Sequence, residues 1–177
     1  MDIVNILGSK SMKALEKRAE IVEAIKAGIL TIKDIGEVSK SLDDKKIAII
    51  LEAMEEITRS QPDVATLDWL LFSEQYIDAQ SNSLKRESSR VVGNVAHIFQ
   101  DSLTVSIQKL LKNTNNEGTV VRWGSAYALG KIIALPRYAC SDLFDTLAQL
   151  CEQESENGVK NQYVKALKKA EKQRKQS

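Results

Sequence analysis

The chain repeats its own pattern at an interval of 37 or 38 residues. A shift of 38 residues places Val121-Arg122, Ala128-Leu129 and Lys131 on Val159-Lys160, Ala166-Leu167 and Lys169. A shift of 37 in the other direction places Leu84-Lys85 and Val92-Gly93 on Val121-Arg122 and Leu129-Gly130. A copy around Lys46-Ile47 is degenerate. Repeats of this length are supersecondary units that bury their apolar faces only by stacking on neighbours.

Each copy predicts a pair of helices. In the third copy, one apolar stripe contains Val121, Ala128, Leu129 and Ile132, and an earlier stripe contains Leu103, Ile107, Leu110 and Leu111. Only two prolines and eight glycines occur, so an all-α chain is expected. Pro62 and Pro136 fall between pairs, where a first helix begins. The predicted helices are a leader at 10–27, then 31–41 with 43–59, 63–79 with 82–99, 101–113 with 117–134, and 139–153 with 156–173.

The segment from Gly118 to Ile132 resembles the second helix of a HEAT repeat, with its Val-Arg opening and its later Ala and Ala-Leu-Gly. Residues 84–94 and 159–167 are weaker copies. The resemblance implies one HEAT-like domain over 1–177, an α-α superhelix of about four antiparallel helix pairs, with a leader at 1–30 and repeats at 31–61, 62–99, 100–137 and 138–173. It also implies that first helices lie on the convex side and second helices line the concave side. A tetratricopeptide array is disfavoured, because its pattern needs Leu-Gly three residues after a Trp, whereas here Gly124 directly follows Trp123.

The sequence offers no constellation for catalysis, a cofactor or a metal. His97 is the only histidine, which excludes a His-based triad and a multi-histidine metal site. Glu52, Glu55 and Glu56 form an acidic face that we expect to be a solvated helix surface rather than a cation site. Gly93 and Gly130 align across repeats, and we expect them to allow close helix packing. The chain is therefore predicted to be non-catalytic.

Two further features bear on location. No apolar run approaches the roughly 18 residues of a membrane-spanning helix, and the N-terminus lacks a basic region of the secretory type. Cys140 and Cys151 fall in one predicted helix at roughly 16 Å, too far apart for a disulfide. We therefore expect reduced thiols, a cytoplasmic location and no membrane partner.

Charge and repeat register together predict a binding surface. In the last three repeats the second helices carry net charges of +2, +1 and +3, whereas the first helices carry −4, +1 and −3. The register stacks second-helix residues into columns, and from these we select Arg86, Arg90, Arg122, Trp123, Tyr127 and Lys165 as candidate partner-binding residues. Two alternatives stay open at this point. Arg122 could instead pair with an acidic group of an adjoining turn, and the two aromatics could instead belong to the core between repeats.

The favoured function is a binding scaffold whose concave groove takes a protein or peptide, with an acidic surface preferred. Nucleic-acid binding is the alternative, because lysines and arginines could meet phosphates while the aromatics stack on bases. A HEAT-like alkylpurine DNA glycosylase is a third possibility, disfavoured by the expectation that no Asp or Glu lies on the face of Arg86, Trp123 and Tyr127. The net charge of +1 gives no overall preference, and the oligomeric state stays open.

Overall fold

The computed structural model describes residues 3–175, and every regular element in that range is helical. Short 3-10 helices occupy Pro62–Val64 and Gln100–Ser102. The α-helices are α1 Ile3–Gly8, α2 Ala14–Lys26, α3 Ile32–Ser39, α4 Asp44–Ser60, α5 Leu67–Glu74, α6 Asn82–Val95, α7 Thr104–Asn113, α8 Thr119–Ile133, α9 Pro136–Ala139, α10 Leu143–Gln153 and α11 Asn157–Arg174. The all-α prediction is confirmed.

Local signals explain where several helices begin. The carboxylate of Asp43 accepts a hydrogen bond of 3.0 Å from the Lys46 amide and so caps α4. Thr31 and Asp34 form a reciprocal capping box at the start of α3. Pro62 begins the 3-10 helix before α5 and Pro136 begins the four-residue α9 before α10, where a missing amide donor costs nothing. The prolines thus lie between the predicted pairs, but the longer helices begin only at Leu67 and Leu143.

Four departures from the predicted elements are informative. The leader helix begins at Ala14 rather than residue 10, and a further helix, α1, precedes it. The first helix predicted at 63–79 is a 3-10 turn followed by α5, which ends at Glu74. Helix α6 ends at Val95, so His97 lies in the following turn. Cys140 directly follows α9 whereas Cys151 lies on α10, so the two free cysteines do not share a helix.

The longer helices pack in series. Helix α2 contacts α4, α4 contacts α6, α6 contacts α8, and α8 contacts α11. In addition, α5 packs on α6, α7 on α8, and α10 on α11. One continuous apolar core runs from Ile3 to Ala170. The predicted stripe of Val121, Ala128, Leu129 and Ile132 is fully buried.

Glycines set the spacing between the packed helices. A Cβ placed on Gly93 would lie 2.9 Å from the Cα of Ala128, and one on Gly130 would lie 2.9 Å from the Cβ of Ala166. Both distances are shorter than ordinary carbon contacts, so α6, α8 and α11 approach more closely than larger residues would allow. The expectation of close packing at both glycines is confirmed.

Candidate binding surface on the second helices

Four of the predicted residues come together where α6 meets α8. A Cβ on Gly124 would lie 3.2 Å from both the Cα and the carbonyl oxygen of Arg86, so the glycine lets the α6 backbone pass beside Trp123. An open cleft of about 490 Å³ results, lined by Arg86, Arg90, Thr119, Val120 and Trp123. We call this opening the Trp123 cleft.

Arg90 is held by two buried carboxylates. Its guanidinium lies 2.8 Å from Oε1 of Glu55 on α4 and 2.8 Å from Oε2 of Glu87 on α6. The side chains of Glu55 and Glu87 are only 5% and 1% exposed. The Nε of Arg86 also donates to Glu87, at 2.5 Å. A buried carboxylate is tolerated only when it is paired, so these contacts fix both arginines in place and neutralise much of their charge.

This arrangement corrects two expectations. Acidic residues do lie beside the predicted surface, because Glu55 and Glu87 reach Arg86 and Arg90. The face of Glu52, Glu55 and Glu56 is also not simply a solvated surface. It meets the helices on both sides of α4, where Glu55 faces Arg90 and the other two carboxylates face Arg18 on α2, at 3.9 and 3.1 Å.

Glu52 has an altered acidity. Burial raises the pKa of its carboxyl above the ordinary value of 4.5, and the negative charge of Glu87 raises that pKa further, against the opposing effect of Arg18. Glu52 therefore binds a proton more readily than an exposed glutamate does.

The two aromatic residues form a supported stack. The rings of Trp123 and Tyr127 are 5.5 Å apart and inclined by 17°. The Tyr127 hydroxyl donates to Oδ1 of Asn94 at 2.6 Å, and Nδ2 of Asn94 donates to the Thr58 hydroxyl at 3.2 Å. Burial raises the pKa of Tyr127, so this hydroxyl stays protonated and able to donate. Both rings are half-buried, and of the two Trp123 lines the cleft.

Cations flank the stack on both sides. The guanidinium carbon of Arg90 lies 6.0 Å from the centre of the Trp123 ring, and Nζ of Lys131 lies 5.5 Å from that of Tyr127. Such contacts contribute roughly 0.5–1 kcal/mol at exposed sites. Together with the Asn94 hydrogen bond, they leave Trp123 little freedom to rotate away.

Arg122 has a structural role in a turn. Its Nε donates to Glu154 at 3.0 Å, and its Nη1 donates to the Asn116 carbonyl at 2.9 Å. The Arg122 side chain is 16% exposed, and that of Glu154 is 8% exposed. The alternative left open above, that this arginine pairs with an acidic group of an adjoining turn, is what the structure shows.

Lys165 stands apart from the Trp123 cleft. It is exposed on α11, which packs on α8, and no ion pair joins it to another residue between positions 3 and 175. The six predicted residues thus divide into three groups. Arg86, Arg90, Trp123 and Tyr127 form one surface, Arg122 ties two turns together, and Lys165 belongs to the lysines of α11.

Sequence reasoning missed Glu87 and Asn94, which position the site. One usable signal was the spacing of three between Glu87 and Arg90, which brings opposite charges together on a helix. Asn94 gave no comparable signal, because its partners Tyr127 and Thr58 lie 33 and 36 residues away on other helices.

The described residues, 3–175, hold no group of three or more His, Cys, Asp or Glu placed to bind a metal ion. In that same span, no helix combines the length and apolarity needed to cross a membrane. No protein-family model matches the chain, and a search of curated proteins finds no match.

Proposed function

We propose that this chain is a non-catalytic HEAT-like solenoid that binds a protein or peptide through the Trp123 cleft. The serial packing of α2, α4, α6, α8 and α11 supports the solenoid part of the proposal. In a solenoid each repeat contacts only its neighbours, and the successive second helices create an extended surface for a partner.

The observation that carries the binding proposal is the fixed position of Trp123 at an open cleft. Trp, Tyr and Arg are the residues most enriched where binding energy concentrates in protein interfaces. Here the Trp123 ring is stacked on Tyr127, and Arg90 is anchored by Glu55 and Glu87. Because these side chains are already ordered before binding, ordering them costs less conformational entropy when a partner binds.

The cleft also indicates the chemistry of the partner. Its volume of about 490 Å³ suits one or two anchoring side chains, with Val120 and Trp123 as apolar walls. The Nε of Arg86 is taken by Glu87, but the side chain is 36% exposed and lines the cleft, so its remaining N–H groups can donate to a partner. We expect a segment with an apolar or aromatic anchor next to an acidic side chain or a free carboxylate.

The ion pairs support a non-catalytic site. A general acid or base needs a carboxyl group able to exchange its proton with a bound substrate. Glu55 and Glu87 instead face Arg90 within 2.8 Å and are almost completely shielded from solvent. Their role in this proposal is to position Arg90. The residues that line the cleft include no carboxylate that could serve a glycosylase as its acidic group.

A peptide-display selection against the folded protein tests the proposal. We expect the selected peptides to lose about 30-fold in affinity on Trp123→Ala, since a central interface tryptophan contributes about 2 kcal/mol or more. Val120→Asp should give a similar loss without removing any stacked ring, because Val120 is 44% exposed. Affinities are measured by isothermal titration.

Val105→Asp on α7 is the matched control, since Val105 is 46% exposed and does not line the cleft. It should bind the peptides as the wild type does. Circular dichroism shows whether each variant is folded. Peptides that bind both cleft variants with unchanged affinity would rule out the Trp123 cleft as the binding surface.

A further inference from the structure

Helix α11 displays a face of four exposed lysines, Lys165, Lys168, Lys169 and Lys172. Their spacings of three and four residues place them as neighbours along one side of the helix. Glu171 is the only carboxylate between Asn157 and Arg174. We call this surface the lysine face.

The lysine face has no acidic partner in the part of the chain that the structure describes. Arg18, Arg90 and Arg122 each meet a carboxylate within 3.1 Å, whereas no carboxylate among residues 3–175 pairs with any of the four lysines.

The stability of the helix does not account for these lysines. A positive charge in the last turn interacts favourably with the helix dipole, which suits Lys172 and Arg174. Lys165 and Lys168 lie more than a turn before that end. Like charges three and four residues apart destabilise a helix by roughly 0.2–0.5 kcal/mol per pair. The four charges therefore cost stability unless an anion covers them.

We propose that the lysine face binds the phosphate backbone of a nucleic acid. Protein interfaces are depleted in lysine at their centres and need an apolar core, which this face does not offer. An amphipathic helix on a membrane inserts its apolar side, but Val159, Tyr163, Ala166 and Ala170 of α11 are buried in the protein's own core. Nucleic-acid binding needs only cations placed against phosphates.

The proposed contact is independent of sequence and of the Trp123 cleft. The exposed side chains of α11 include no aromatic ring that could stack on a base, since Tyr163 is 1% exposed. The lysine face would therefore recognise only the negative charge of the phosphates. It adds to the proposed function a second ligand whose chemistry differs from that of the peptide.

The test is fluorescence anisotropy with a labelled single-stranded oligonucleotide and a labelled duplex, each about 20 nucleotides long per strand, at several salt concentrations. With four phosphates neutralised, a plot of the logarithm of the association constant against the logarithm of the salt concentration should have a slope of about −3 for the single strand and about −3.6 for the duplex. Replacing Lys165, Lys168, Lys169 and Lys172 by Gln should lower affinity at least about tenfold at low salt and flatten the slope.

The matched control replaces Lys10, Lys33, Lys45 and Lys112 by Gln, which removes the same charge from exposed lysines elsewhere. This control variant should lose less than about twofold in affinity for either oligonucleotide. The Trp123→Ala variant should bind both oligonucleotides as the wild type does. Circular dichroism confirms the fold of each variant. The proposal is overturned by equal losses in the two quadruple variants, by loss in the Trp123 variant, or by absence of binding at low salt. Binding to vesicles of anionic lipid without binding to either oligonucleotide also overturns it.

Discussion

At the scale of single residues, glycines within helices have opposite roles in this protein. A Cβ on Gly93 would lie 2.9 Å from the Ala128 backbone, whereas one on Gly36 in α3 would meet nothing within 4 Å. Helix propensity alone favours Ala over Gly by roughly 1 kcal/mol at both positions. Packing decides the difference between them.

We therefore predict that Gly93→Ala destabilises the protein by about 1–3 kcal/mol, because α6 and α8 must move apart. Gly36→Ala should instead stabilise it by about 0.5–1 kcal/mol. Urea unfolding of both variants gives the two free energies. A stabilised Gly93 variant would contradict the close approach of the helices.

Part of the site could be predicted from its residues. The repeat register predicted that Arg90, Trp123 and Tyr127 share one surface, because all three lie in copies that align with each other. It could not predict the burial of Glu55, since α4 belongs to the degenerate first copy and offers no alignment. Summing formal charges also treated Arg90 as a free cation, whereas two buried carboxylates surround it.

At the scale of elements, the pair of Arg122 and Glu154 joins the turn before α8 to the turn before α11. Burial raises the pKa of Glu154, but the hydrogen bonds from Arg122 and from the Glu156 amide outweigh it, so the pKa lies below its ordinary value of 4.5. A carboxyl with a lowered pKa stabilises the fold above the unfolded value and loses that effect as pH falls through the folded value.

Arg122→Ala is thus expected to cost about 2 kcal/mol at neutral pH, and the difference from wild type should shrink as pH falls below 4.5. Denaturant unfolding at a series of pH values measures this. Arg137→Ala is the control, because its pair with Asp101 is exposed and should contribute only about 0–1 kcal/mol. A loss that stays constant from neutral to acid pH would show that Glu154 is not the group responsible.

Elements with strong apolar periodicity were predicted within a few residues, and those held mainly by tertiary contacts were not. Helix α8 combines a buried stripe with a Gly at its start, and its predicted span of 117–134 is close to Thr119–Ile133. Helix α1 has only six residues, of which Ile3 and Leu7 are buried, too few to produce a periodic signal. The predicted helix at 63–79 is interrupted by the extended backbone of Ala65 and Thr66. The apolar pattern of the segment does not predict this break.

At the scale of the whole molecule, serial packing predicts uneven stability along the chain. Helix α8 contacts α6, α7 and α11, whereas the eight-residue α3 buries only Ile35 and Ser39. In arrays with nearest-neighbour contacts, end units open more readily than central ones. Hydrogen exchange followed by mass spectrometry should therefore show the slowest amides in α6 and α8 and faster exchange in α1 and α3. Equal protection of α3 and α8 would indicate a single all-or-none unit instead.

The hydrogen bonds that join neighbouring helix pairs have a consequence for how the chain is made. Asn94 reaches back 39 residues to the Glu55 carbonyl, Asn113 reaches back 36 residues to the Ile77 carbonyl, and Tyr127 reaches back 33 residues to Asn94. Each bond can therefore form once the next helix pair has left the ribosome, with no need for the C-terminus. Since folding of an array held by nearest-neighbour contacts can begin in one unit and propagate to the next, we expect each new helix pair to dock on a surface already in place, so that the growing protein exposes only the apolar face of its latest helix pair.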